Sequence, residues 1–139
     1  MKIIAATLAL TALVGFAAPR AQAATNLSHL AGPWTATIIG STGCGFTSIQ
    51  ANFTLNTSGQ GTATETFHTA ACGDSTVTAP ISFSYLSSNG AGIANLSCGQ
   101  GCGWVLNVQV AGGNKVFNLV DVSPDNPNNY IQGTAVHQQ

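Results

Sequence analysis

Four cysteines arranged as two mirror pairs constrain this chain more than any other feature. Cys44 and Cys72 are equidistant from Ser58, in a Ser58-Gly59 turn, and Cys98 and Cys102 are equidistant from Gln100. If each centre is the turn of an antiparallel hairpin, each pair meets across the hairpin, where a disulfide can close. Sequence alone leaves three pairings of four cysteines open. Hairpin symmetry favours Cys44–Cys72 with Cys98–Cys102. In an up-and-down strand order all four then fall at one end of the sheet.

The N-terminus supplies the compartment that such bonds require. Lys2 is a positive n-region, Ile3 to Ala18 an apolar run, and Ala21-Gln22-Ala23 a small-x-small cleavage site. Residues 1–23 therefore read as a signal peptide and 24–139 as one secreted domain, extracellular or periplasmic. The leader is short for a membrane span, and no later apolar stretch is long enough to cross as a helix. In an oxidising compartment an even number of cysteines reads as disulfides. Zinc is disfavoured, because Cys98-x3-Cys102 has no second close pair.

Charge narrows the partners. Beyond residue 23, Lys115 is the only Lys or Arg, set against Glu65, Asp74, Asp121 and Asp125. One cation cannot neutralise a row of phosphates, so nucleic acid is excluded, and an anionic membrane surface is disfavoured. Solubility rests on Thr, Ser, Asn and Gln, which suits exposed strands.

Period-two alternation recurs, with turn clusters about every ten residues. The expected strands are about 33–40, 45–56, 61–71, 77–86, 92–98, 103–111, 115–122 and 129–137. Several have one apolar face, such as Ile49, Ala51, Phe53 and Leu55, or Val77, Ala79, Ile81, Phe83 and Tyr85. The turn at Ser58-Gly59 sets Phe67 opposite Ile49 and Glu65 opposite Ala51. A two-residue Gly112-Gly113 turn would set Phe117 opposite Val108, Leu119 opposite Leu106 and Asp121 opposite Trp104. The fold expected is all-β, an eight-stranded antiparallel up-and-down β-barrel, with a β-sandwich as the alternative. Closure removes edge strands that this chain has few charges to guard.

Leu30-Ala31-Gly32-Pro33-Trp34 carries a family resemblance. A Gly-x-Trp opening the first strand, followed by eight short strands, resembles the calycin superfamily of lipocalins and avidins. That resemblance implies a barrel with Trp34 as its floor and a mouth around residues 41–44, 72–76, 98–102 and 123–128. The chain departs from lipocalins in lacking an Arg over the Trp, and from avidins in having only Trp34 and Trp104. The Leu-x-Gly-x-Trp opening and a hairpin disulfide also resemble a small bacterial barrel that inhibits metalloproteases with its N-terminal segment.

Four residues are candidates for ligand binding. Glu65 falls on an apolar face, where an unpaired carboxylate is costly. It is either an interior anchor or is turned to solvent by a bulge. Trp104 beside Asp121 offers an aromatic plate with a carboxylate, suited to an amine, a sugar or a polar ring, unless they only fill and cap the barrel end. Tyr85 shares the inner face farther from the mouth. His29, His68 and His137 lie on separate elements, so no metal site is expected. No Gly-x-Ser-x-Gly elbow occurs, and no enzymatic activity or cofactor is expected.

The reading is a secreted, non-enzymatic binding protein for a small hydrophobic or amphipathic ligand. The alternatives are an inhibitor that presents residues 24–30 to an extracellular protease, and a structural coat protein with a filled interior. Val105, Val116, Val120 and Val122 on outer faces would suit a homodimer.

Overall fold

The computed structural model describes residues 25–98, 102–123 and 129–139. The expected leader, the Gly99–Gly101 turn and the loop 124–128 lie outside the described residues. A 3-10 turn at Leu27–Leu30 precedes eight strands: β1 (Gly32–Thr42), β2 (Gly45–Leu55), β3 (Gln60–Thr69), β4 (Gly73–Leu86), β5 (Ala91–Ser97), β6 (Gly103–Ala111), β7 (Val116–Asp121) and β8 (Tyr130–His137). Every strand pairs antiparallel with its sequence neighbour, and β1 pairs with β8, so the sheet is a closed up-and-down barrel. The sandwich alternative is thereby set aside. Among the described residues no helix is long and apolar enough to cross a membrane.

The β2–β3 hairpin has the register expected from its turn, with Ile49 opposite Phe67 and Ala51 opposite Glu65. Asn56 organises that turn. Its Oδ1 accepts from the backbone N–H groups of Ser58 at 2.9 Å and Gln60 at 3.0 Å. Gly59 supplies the positive φ of +75°. Where β1 meets β8, strand closure depends on Gly40, since a Cβ there would land on the Tyr130 carbonyl oxygen.

Two expectations about register are corrected. The β6–β7 turn spans four residues, with Ala111 opposite Val116 and positive φ at Gly112, Gly113 and Asn114. Asp121 is therefore opposite Leu106, not Trp104. The slip is two residues, so Asp121 keeps its face. Tyr85 is not on the inner face. The β4–β5 register shifts between Phe83 and Tyr85, so Ser84 is an extra residue in β4. Beyond it the alternation reverses: Tyr85 is 57% exposed, and Leu86 packs against the core in its place.

The half of the barrel away from the cysteines is filled. Trp34 packs against Phe117 with ring centroids 4.7 Å apart, against Phe53 at 6.4 Å and against His137 at 4.9 Å. Phe83 meets Phe117 edge-on at 5.6 Å. A void of only about 10 Å³ remains among these rings and their aliphatic neighbours. The N-terminal segment seals this end. Trp34 Nε1 donates to the Leu30 carbonyl at 2.8 Å, and Leu30 is fully buried. Thr25 donates its N–H to Ser88 O at 3.0 Å and its hydroxyl to Asn114 Oδ1 at 3.0 Å, both on floor-side turns. Phe46 faces out at 65% exposure, and Thr47 takes the inner position.

Candidate functional site: a cavity at the disulfide-braced mouth

The cysteine end is shaped by two short cross-links. Cys44–Cys72 joins the β1–β2 turn to the β3–β4 turn with Cα atoms 5.4 Å apart. Cys98–Cys102 closes the β5–β6 hairpin with Cα atoms 5.2 Å apart. Both pairings are those that hairpin symmetry favours. Threonines secure the first cross-link on both sides. The Thr42 hydroxyl accepts from Cys44 N at 3.2 Å. That of Thr69 accepts from Cys72 N at 3.2 Å and donates to Gly73 O at 2.7 Å. The β2–β3 ladder continues up to the disulfide through Ala71 N–H to Cys44 O at 3.0 Å.

Between these cross-links lies a cavity of about 630 Å³. Its apolar wall includes Phe67, Val77 and Trp104, and its polar wall includes Ser75, Asp121 and Ser123. Phe67 and Trp104 face one another at 6.2 Å with planes 26° apart. All four cysteines also line it. The cavity therefore lies at the end of the sheet where the cysteine spacing places both disulfides.

Trp104 and Asp121 are brought to this one space, though not as a directly opposed pair. Asp121 is partly committed to its own loop. Its Oδ1 accepts from Ser123 N at 2.9 Å and from the Ser123 hydroxyl at 2.6 Å. Ser123 Oγ in turn accepts from Val105 N at 2.8 Å, which ties the end of β7 to β6. Asp121 thus serves as a loop cap and also lines the cavity. Tyr85 lies outside the site.

Glu65 is inside the barrel and fully buried, so no bulge turns it to solvent. It is opposite Ala51 on β2 and Val77 on β4. It does not itself line the cavity. Phe67, its neighbour along the inner face, and Val77, its partner across the sheet, both do. Among the described residues neither carboxylate oxygen has a hydrogen-bond partner. Burial disfavours the charged form and pushes its pKa up to about 7. Trp34 is at the opposite, closed end, with 1% exposure. Among the described residues no cluster of His, Cys, Asp and Glu could hold a metal ion.

The four ligand candidates omit Val77, Ser75 and Ser123, although Val77 is on the expected inner face and Ser75 and Ser123 fall in the mouth segments that the resemblance implies. Ser75 alternates in step with Val77, Ala79 and Ile81, so period two extended toward the N-terminus of β4 places it on the same face. Ser123 follows β7 and carries no periodic signal.

No protein-family model matches the chain. No curated protein is significantly similar to it either.

Proposed function

We infer that this chain is a secreted, non-enzymatic binding protein that holds a small apolar or amphipathic molecule at the disulfide-braced mouth of its barrel. One observation carries the reading. The floor half is filled to a residue of about 10 Å³, whereas the mouth half keeps about 630 Å³ beside Phe67 and Trp104. Small-molecule sites have volumes of about 300–1,000 Å³, with mostly apolar walls and a few polar groups. The calycin-like opening at Gly32-Pro33-Trp34 agrees with such a role, and the leader and two disulfides agree with export.

Binding fits better than catalysis. Asp121 Oδ1 is occupied by Ser123, and Glu65 is behind the cavity wall, so the two carboxylates do not flank a common open space. Inhibition through the N-terminal arm would need a free segment, and Thr25–Leu30 is used to seal the floor. A coat protein would need no cavity.

Native mass spectrometry of the oxidised, secreted protein tests the reading. One defined small molecule per chain is expected, and its release should identify the ligand. A chain that stays bare after exposure to extracts of its own culture medium would argue against a binding role. Val77→Phe adds a ring to the cavity wall and should weaken binding of the recovered molecule by about tenfold or more. The far-ultraviolet circular dichroism should not change. Equal affinity in that variant would place the ligand elsewhere.

A further inference from the structure

Among the described residues Glu65 and Asn129 keep buried side-chain oxygens without a hydrogen-bond partner, and of the two only Glu65 can ionise. Most proteins pair a buried carboxylate with Arg or Lys or surround it with donors. Here the flanking inward residues are apolar: Ile49 and Ala51 on β2, Ala63 and Phe67 on β3, Val77 and Ala79 on β4. Among the described residues, the other titratable groups lie elsewhere. Lys115, His29, His68 and Asp74 are exposed, His137 packs against Trp34 at the floor, and Asp121 lines the cavity. Lys115 is the only Lys or Arg beyond residue 23 in the whole sequence. The chain is therefore poor in cations that could meet a charge at Glu65.

The position of Glu65 gives a ligand a route to it. Directly opposed residues of an antiparallel pair have Cβ atoms about 4.5–5.5 Å apart, and Val77 opposite Glu65 is a cavity-wall residue. Phe67, the next inward residue toward the mouth, also borders the cavity. Glu65 does not line the cavity, so a ligand reaches the carboxylate only if a wall side chain such as Phe67 moves aside. The groups nearer the mouth favour positive charge as well. Phe67 and Trp104 present aromatic faces, which attract cations, and Asp121 adds a second acid. A metal ion is a poor occupant, because the apolar neighbours of Glu65 offer no oxygens to replace its hydration shell. An anion would meet two acids and no base.

Resting on the binding role inferred above, we propose that the ligand is an organic monocation, an amine on an aromatic or aliphatic body, whose ammonium group pairs with Glu65 beneath Phe67. The body occupies the space between Phe67, Val77 and Trp104. Because the ammonium pairs with the ionised carboxylate only, cation affinity falls as pH drops below the Glu65 pKa.

Three matched probes test this on the oxidised full-length domain: 4-phenylbutylamine, 4-phenylbutan-1-ol and 4-phenylbutyrate, titrated calorimetrically. At pH 8 the amine should bind about tenfold or more tighter than the alcohol, and the acid weakest. Between pH 8 and pH 5.5 the amine should lose about thirtyfold in affinity and the alcohol little, given a carboxyl that titrates near 7. Glu65→Gln should remove both the preference and its pH dependence, and Asp74→Asn, which removes an exposed acid outside the cavity, should keep both. The wild-type pH profile is a readout independent of either variant's folding. Equal binding of all three probes would overturn the proposal and leave the binding role standing. A preference that survives Glu65→Gln and disappears in Asp121→Asn would move the anchor to Asp121 and overturn the assignment. Failure of all three to bind would overturn the proposal together with the binding role.

Discussion

At pH 8 and without ligand, Glu65→Gln should unfold with a free energy about 3 kcal/mol higher than the parent, and at pH 4.5 the two should be nearly equal. The native carboxyl is fully buried without a partner among the described residues, and its pKa is raised from 4.5 to about 7. Below pH 4.5 the group is protonated in both folded and unfolded chains, and burial carries no charge penalty. Between about 4.5 and 7 the unfolded chain ionises first, so the folded state binds the extra proton. Stability is therefore lost as pH rises through that window, and the loss saturates above about 7. Gln cannot ionise, so its profile should lack this slope. Urea denaturation at pH 4.5, 6 and 8 measures it. A flat wild-type profile, or a less stable Gln variant at pH 8, would show that solvent reaches the carboxylate.

Removing the Cys44–Cys72 cross-link should cost about 3.5 kcal/mol, against about 2 kcal/mol for Cys98–Cys102, on a chain-entropy account. The first bond spans 28 residues and the second spans 4, so the first restricts the unfolded chain more. The larger effect should also be felt locally. Cys44–Cys72 closes the far end of the β2–β3 hairpin, where the hydroxyls of Thr42 and Thr69 brace the adjoining turns. Double Cys→Ala variants compared by denaturation in urea give the two costs. Equal losses would mean that native strain or residual unfolded structure, rather than loop length, governs stabilisation by these bonds.

Much of the barrel was legible because its cues are local. The Ser58-Gly59 turn determines the β2–β3 register, since Asn56 and Gly59 build a tight loop of defined length. That register places Glu65 opposite Ala51 on the inner face, and the uninterrupted β2–β3 pairing of the structure, with no bulge, buries it. Legibility failed where a turn or a strand holds more residues than its pattern suggests. The β6–β7 loop is longer than its glycine pair suggests, because Asn114 also adopts a positive φ. The extra residue at Ser84 turns Tyr85 outward, and nothing in the alternation of β4 announces it.

By itself the sequence determined the strand count, the hairpin turns and the disulfide end, and it put Glu65 on the apolar face of β3 without deciding between burial and a bulge. Each depends on turn chemistry and period-two alternation, which act over a few residues. Only the tertiary structure decided that the sheet closes on itself and that its two halves differ. Closure requires β1 to meet β8 at the opposite end of the chain, and the Gly40 approach to Tyr130 is part of that seam. Whether a barrel is hollow depends on side-chain volume summed over eight strands at each level. Trp34, Phe53, Phe83 and Phe117 converge from four strands and fill the floor, whereas Ser75, Val77, Asp121 and Ser123 leave space at the mouth. No segment of the sequence contains that sum, because the strands that contribute to each level are far apart along the chain.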